Sequence, residues 1–286
     1  MKRKIKRLSL LLICSIMVVM AIVIIAKPAY RFTAKQYFLS FGNHVDLEEL
    51  DKNNFDYETV DVKDIGKKDY IIDQSMMLVN TSNPLNNDFK PEIKEYKQTG
   101  VKMNKCVISA YNKLSNDITN NTNEKLYVMS SYRTAAEQKE IEKEQGDDTA
   151  MPAGSSEHQT GLGLDVYFDK HAGSAIITCE AGRYLNENCW KSGFIIRYPA
   201  GKKSSTGIDY EPWHIRYVGS PHSEIIMKNH LSLEEYYNSL EIGKFYKYND
   251  YIISRQNTNK LIIPDGIKTV VSSDNEGGYI ITVKVG

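Results

Sequence analysis

Two short stretches of this 286-residue chain carry residue types that could do chemistry together. One reads Ser156-Glu157-His158-Gln159-Thr160-Gly161-Leu162-Gly163-Leu164-Asp165, the other Glu211-Pro212-Trp213-His214. His158, Asp165 and His214 can supply three ligands to Zn²⁺ and leave a fourth position for water, the arrangement of a catalytic rather than a structural zinc. Glu211, three residues before a histidine, is then close enough to work on that water without binding the metal. Gly161 and Gly163 let the backbone double back, so that His158 on a turn and Asp165 on the strand after it converge. On residue types alone a second reading stays open, in which both histidines are ordinary hydrogen-bonded side chains and Asp165 is a turn residue.

The flanking sequence supplies elements that could position such a site. Met103, Val107, Tyr111 and Leu114 recur at three- or four-residue steps, as one face of an amphipathic helix does. Leu126 to Met129 is a short apolar run ended by Ser130-Ser131, and Thr134 caps a charged helix reaching about Glu144. Leu164 to Phe168 and Trp213 to Val218 read as strands, and helices follow Pro221 and Ser232, the second with a serine cap and an acidic first turn. Irregular alternation of helices and short strands predicts an α+β domain over residues 73–244. Beyond it, residues 245–286 hold β-type runs such as Tyr279-Ile280-Ile281-Thr282-Val283 and read as a small β appendage. Residues 28–72 are polar and rich in Asp, Asn and Lys, which predicts a stalk.

Composition narrows the function classes. Basic and acidic residues balance at 36 each, but residues 1–35 hold eight basic residues and no acid, so the remainder is acidic. That distribution argues against a nucleic-acid partner, whose phosphates demand clustered Lys and Arg. Leu8 to Ala26 contains no charge and is long enough, at ~1.5 Å per residue, to cross a bilayer as a helix. The basic residues before it place the N-terminus in the cytoplasm and the rest outside, so a single-pass membrane anchor over residues 1–27 is expected, with a cleaved signal peptide as the alternative. Cys14 lies in that run. The other three cysteines form no Cys-x-x-Cys pair, and Cys179 with Cys189 is the nearest pair for a disulfide. Ser-x-x-Lys, Lys-Thr-Gly, Gly-x-Ser-x-Gly and His-Glu-x-x-His are all absent, which removes serine acyl-enzyme chemistry and the common helical zinc-peptidase pattern.

Tyr132-Arg133, Pro152 through Asp165, Gly193-Phe194-Ile195-Ile196-Arg197-Tyr198-Pro199 and Thr206 through Gly219 together resemble VanY-type zinc D-alanyl-D-alanine carboxypeptidases. The likeness runs from about Met76, with Asn83-Pro84-Leu85 in the entry segment, to about Tyr237. Ser-x-His-(x)6-Asp and Glu-x-x-His of the wider zinc D,D- and L,D-peptidase family both stand intact, and Gly163 occupies a place where many members have Ala. The resemblance implies a small mixed domain with an antiparallel sheet and flanking helices. It implies one zinc on His158, Asp165 and His214, with Glu211 as general base and Arg133 facing the oxyanion. Ser156 and Gln138 become candidates to hold the substrate, Gln138 with a solvated helix position as its alternative. Peptidoglycan precursor stem peptides are the implied partners and removal of the terminal D-Ala the implied reaction, in wall maintenance or in glycopeptide (vancomycin) resistance; the sequence leaves the oligomeric state open, with a monomer expected. An L,D-carboxypeptidase, a D,D-dipeptidase and a non-catalytic wall-binding module of the same fold are the rivals.

Overall fold

A computed structural model describes residues 26–45, 47–145 and 151–286. The expected anchor, Leu8 to Ala26, lies outside these but for its last residue. Among the described residues no helix is long and apolar enough to cross a membrane.

The chain opens with helix α1 (Pro28–Leu39), then strands β1 (Glu48–Leu50), β2 (Tyr57–Asp61) and β3 (Ile71–Asp73). A short ribbon of β4 (Ile93–Glu95) and β5 (Lys102–Asn104) leads into α2 (Val107–Thr122) and β6 (Tyr127–Ser130). After α3 (Ala135–Gln145) come β7 (Gly163–Tyr167), α4 (Glu180–Asn188), β8 (Phe194–Ile196), α5 (Lys203–Thr206) and β9 (His214–Tyr217). Helices α6 (His222–Lys228) and α7 (Leu233–Ser239) precede the closing strands β10 (Phe245–Tyr248), β11 (Tyr251–Gln256), β12 (Lys260–Pro264), β13 (Lys268–Ser273) and β14 (Tyr279–Lys284).

The sheet that matters for function is four-stranded, ordered β6-β7-β9-β8 and antiparallel throughout. Helix α2 covers it through Val107, Tyr111, Leu114 and Ile118, all buried on one stripe, against Leu162, Leu164, Val166, Phe194 and Ile215. Asn123 ends α2 in the left-handed conformation its short polar side chain tolerates. The mixed α+β architecture expected from the sequence is therefore present.

Two expectations about the ends need correction. Residues 28–72 are not a free stalk. Phe32 of α1 is buried in the core beside the four-stranded sheet, and β1 and β3 form the two edges of a six-stranded sheet ordered β1-β10-β11-β14-β13-β3, while β2 pairs with β12. These strands are three to five residues long and lie in a segment rich in Asp, Asn and Lys, so the composition around them mimics a linker although their backbones are paired. Nor are residues 245–286 a detached appendage, because Tyr246, Ile253 and Ile280 share one apolar cluster with Met76, Leu78, Ile195 and Val218. The sulfurs stay unbridged as well: Cys106, Cys179 and Cys189 are free, and Cys179 and Cys189 cap opposite ends of α4. Nine residues of helix span ~13 Å, far beyond the ~6 Å between the Cα atoms of a disulfide.

Candidate metal centre and active site

Strand pairing sets the site. Asp165 on β7 lies opposite His214, the first residue of β9, and on its other side opposite Ser130 at the end of β6. His158 belongs to a 3-10 turn, Glu157–Thr160, closed by Gly161 in the left-handed region at φ 68°. A Cβ at Gly161 would lie 2.7 Å from the Asn104 backbone nitrogen, so the turn admits only glycine. Gly163 is tight in a different way: a Cβ there would lie 3.0 Å from His214 Nε2, so an alanine would ask that ring to give by a few tenths of an ångström. His158, Asp165 and His214 are thereby gathered with one ligand atom from each within 4.8 Å of the others.

The protonation pattern suits a metal. His158 Nδ1 lies 3.0 Å from the Ser131 carbonyl oxygen, which can only accept, so Nδ1 carries the proton and Nε2 turns its lone pair into the cluster, 3.3 Å from Asp165 Oδ2. His214 Nδ1 is 3.0 Å from Asp165 Oδ1 and 3.8 Å from Glu211 Oε2. The angles at Asp165 Oδ1 make no hydrogen bond, which leaves a buried carboxylate oxygen without a partner. Such an orphan is costly in an interior and natural at a cation site. Burial would raise the Asp165 carboxyl, but His158 and His214 hold it well below the ordinary range. Burial disfavours the His214 cation, yet Asp165 and Glu157 outweigh it and lift its pKa to about 9. The carboxylates of Asp165 and Glu157 thus make this pocket one that favours positive charge. Two imidazoles and a carboxylate are a donor set that zinc accepts, and the fit is good.

Behind His214 stands a residue that sequence reasoning passed over. Glu157, wholly buried, faces His214 Nε2 at 3.7 Å and is clamped by Arg197 Nε at 2.7 Å and by Arg216. Arg197 also makes a two-pronged pair with Glu234 at 2.6 and 2.9 Å, and Arg216 donates to the Ser75 and Met77 carbonyls at 3.0 and 2.6 Å. Burial would push Glu157 up, but the two guanidiniums keep it ionised far below its usual range. The signal was available: Arg197 and Arg216 each interrupt an apolar strand run, which a charged side chain does only when it is paired in the interior.

The remaining candidates line one cavity of about 170 Å³ with the cluster. Glu211 sits at its edge, and burial raises its carboxyl above the ordinary value although His214 opposes this. Arg133 borders the same cavity, makes no ion pair among the described residues, and leaves its buried Nε without a partner. Its backbone N–H donates to the His158 carbonyl at 3.1 Å, which ties its position to the ligand turn. Gln138 is buried rather than solvated; its Nε2 donates to the Met151 carbonyl at 2.6 Å and its Oε1 stays unpartnered. Ser156 is buried at the start of the 3-10 turn with no side-chain cap bond. All seven residues singled out from the sequence are therefore brought to one place, whereas His171 bonds to Thr178 at 2.8 Å and His222 to Tyr236 and Thr282, outside the cluster.

A family profile described as VanY, D-alanyl-D-alanine carboxypeptidase, matches residues 100–220. Among curated proteins, a D-alanyl-D-alanine carboxypeptidase of Enterococcus faecium is 36% identical over 197 residues, 65% of this chain and 62% of its own length. The chain thus spans less than two thirds of that relative. Among solved structures, the vancomycin-resistance D,D-pentapeptidase VanY from a VanB-type resistance cassette, determined with Zn(II), is similar at TM-score 0.52 and 32% identity, covering 57% of this chain and 99% of that one. The vancomycin-resistance D,D-dipeptidase VanXYg, bound to a D-Ala-D-Ala phosphinate analogue, reaches TM-score 0.60 at 26% identity and covers 80% of this chain and 99% of that one. Profile, relatives and fold agree with one another, and the chain belongs to the VanY family of D-alanyl-D-alanine carboxypeptidases.

Proposed function

We propose that the chain is a zinc-dependent D,D-carboxypeptidase that removes the terminal D-Ala from peptidoglycan precursor stem peptides ending in D-Ala-D-Ala. The carrying observation is the buried cluster of His158, Asp165 and His214 with Glu211 3.8 Å from a ligand ring. A bound zinc supplies Lewis-acid polarisation of the scissile carbonyl and acidifies water toward pKa ~7. Glu211, raised by burial, takes a proton from the attacking water and delivers it to the leaving D-Ala amine. Arg133, unpaired and half-buried, offers its guanidinium to the oxygen that becomes negative. Ser156 and the free Oε1 of Gln138 line the same cavity and bind the peptide's polar groups. Glu157, held ionised by Arg197 and Arg216, orients the His214 ring.

The apolar run Leu8 to Ala26 anchors the chain with its N-terminus in the cytoplasm and the site outside, where lipid-linked precursors emerge. Mass spectrometry of pentapeptide, tetrapeptide and free D-Ala-D-Ala after incubation with the zinc-loaded chain tests the substrate. Fastest D-Ala release from the pentapeptide is expected. Cleavage of the tetrapeptide alone would make the chain an L,D-carboxypeptidase, and faster hydrolysis of the dipeptide would make it a dipeptidase.

A further inference from the structure

Helix α1 has two faces with different fates. Phe32, 6% exposed, and Ala29 pack into the core beside the catalytic sheet. A half-turn away, Tyr30, Phe38 and Phe41 are 53%, 77% and 77% exposed. Steps of four place Tyr30, Ala34 and Phe38 on one stripe, and Phe41, just past the helix end, continues it. Lys27 and Arg31 begin the next stripe at the same spacing, with Lys27 5.8 Å over the Tyr30 ring, while Lys35 further along it turns to Glu187 at 2.9 Å. Aromatic rings beside a row of cations suit the boundary between acyl chains and anionic headgroups. Water alone gives no reason to leave two phenylalanines that bare.

The chain says what covers them. The apolar run ends at Ala26, one residue before Lys27 and two before the helix begins, so any bilayer that holds the run brings α1 to its surface. We propose that the outer face of α1 lies in the headgroup region of the membrane, with Tyr30, Phe38 and Phe41 entering the acyl boundary and Lys27 and Arg31 meeting anionic lipid. This extends the anchored reading above and rests on it for location. The contact also fixes the enzyme's attitude. Tyr37 of α1 packs edge-on against Tyr210 at 6.4 Å between ring centres, and Tyr210 immediately precedes Glu211. A helix set in the surface therefore holds the segment that carries the proposed base at a constant height, which a flexible tether would not do.

Full-length chain in nanodiscs of phosphatidylcholine and phosphatidylglycerol doped with a photoreactive lipid gives the test. Adducts are expected on Tyr30, Phe38 and Phe41 as well as within residues 8–26. The double change Phe38→Ser, Phe41→Ser, on two exposed side chains outside the catalytic machinery, should lower labelling of residues 28–41 about tenfold while hydrolysis of a soluble peptide stays unchanged. Labelling confined to residues 8–26 overturns the inference. If residues 8–26 are not labelled, the anchor reading fails, and a chain beginning at Lys27, which keeps every described core cluster, decides the inference alone by sedimentation with vesicles of the same lipids. Binding that the double change abolishes upholds it. No binding, or a dimer split by the same changes, overturns it, the latter assigning the face to a second copy.

Discussion

Glu211 and Glu157 lie within a few ångströms of the same imidazole in different surroundings. Glu157 is sealed by two arginines and stays ionised, which suits a residue that orients a ligand. Glu211 opens onto the cavity with its carboxyl raised, which suits one that exchanges protons. Replacing Glu211 with Gln should leave metal content and melting behaviour as they are and lower kcat by ~10²–10⁴, the usual yield of a general base. Steady-state kinetics with parallel metal analysis checks this, and near-parental kcat would move the base elsewhere. Both motif halves around these residues were readable from spacing, because ligand geometry imposes a local pattern on the chain. Glu157 was not readable from spacing: Arg197 and Arg216 in apolar surroundings announce that a buried acid must pair them, but only strand pairing brings Glu157 to them.

Among the elements, β7, β9, α2 and α7 follow local rules. Periodicity marks α2, and the serine cap of α7 closes a full capping box between Ser232 and Glu235. By contrast β1, β2 and β3 answer to partners some two hundred residues further on, and nothing in runs of three to five residues announces such pairing. The joint between α6 and the C-terminal sheet yields a pH prediction. His222 is buried with Nδ1 2.7 Å from the Tyr236 hydroxyl and Nε2 2.8 Å from Thr282 Oγ1, and burial pushes its pKa down to about 3. The unfolded chain takes up this proton near pH ~6.5 while the folded one does not until far lower. Stability is therefore retained above that value and lost as pH falls toward about 3. Between pH ~6.5 and ~5 this one group removes about 2 kcal/mol. Denaturant unfolding of the parent and of His222→Gln across that range checks it, and equal pH slopes for the two would contradict it.

At the scale of the molecule, residues 28–72 and 245–286 pack onto the domain between them rather than hang from it. N-terminal strands edge the C-terminal sheet, and that sheet shares its apolar cluster with Met76, Leu78, Ile195 and Val218. Composition alone could not reveal this, because a residue's contribution to a shared core depends on where its strand docks. What the whole fold holds in common is the gathered His158, Asp165 and His214, and metal occupancy of that cluster is the direct test. Zinc content and D-Ala release should be measured on the same preparation before chelation, after chelation and after zinc is restored, with His158→Ala alongside. The account predicts about one zinc per chain, release that vanishes with the metal and returns with it, and a His158→Ala chain that neither holds zinc nor turns over. Undiminished release of D-Ala by the metal-free protein would contradict it.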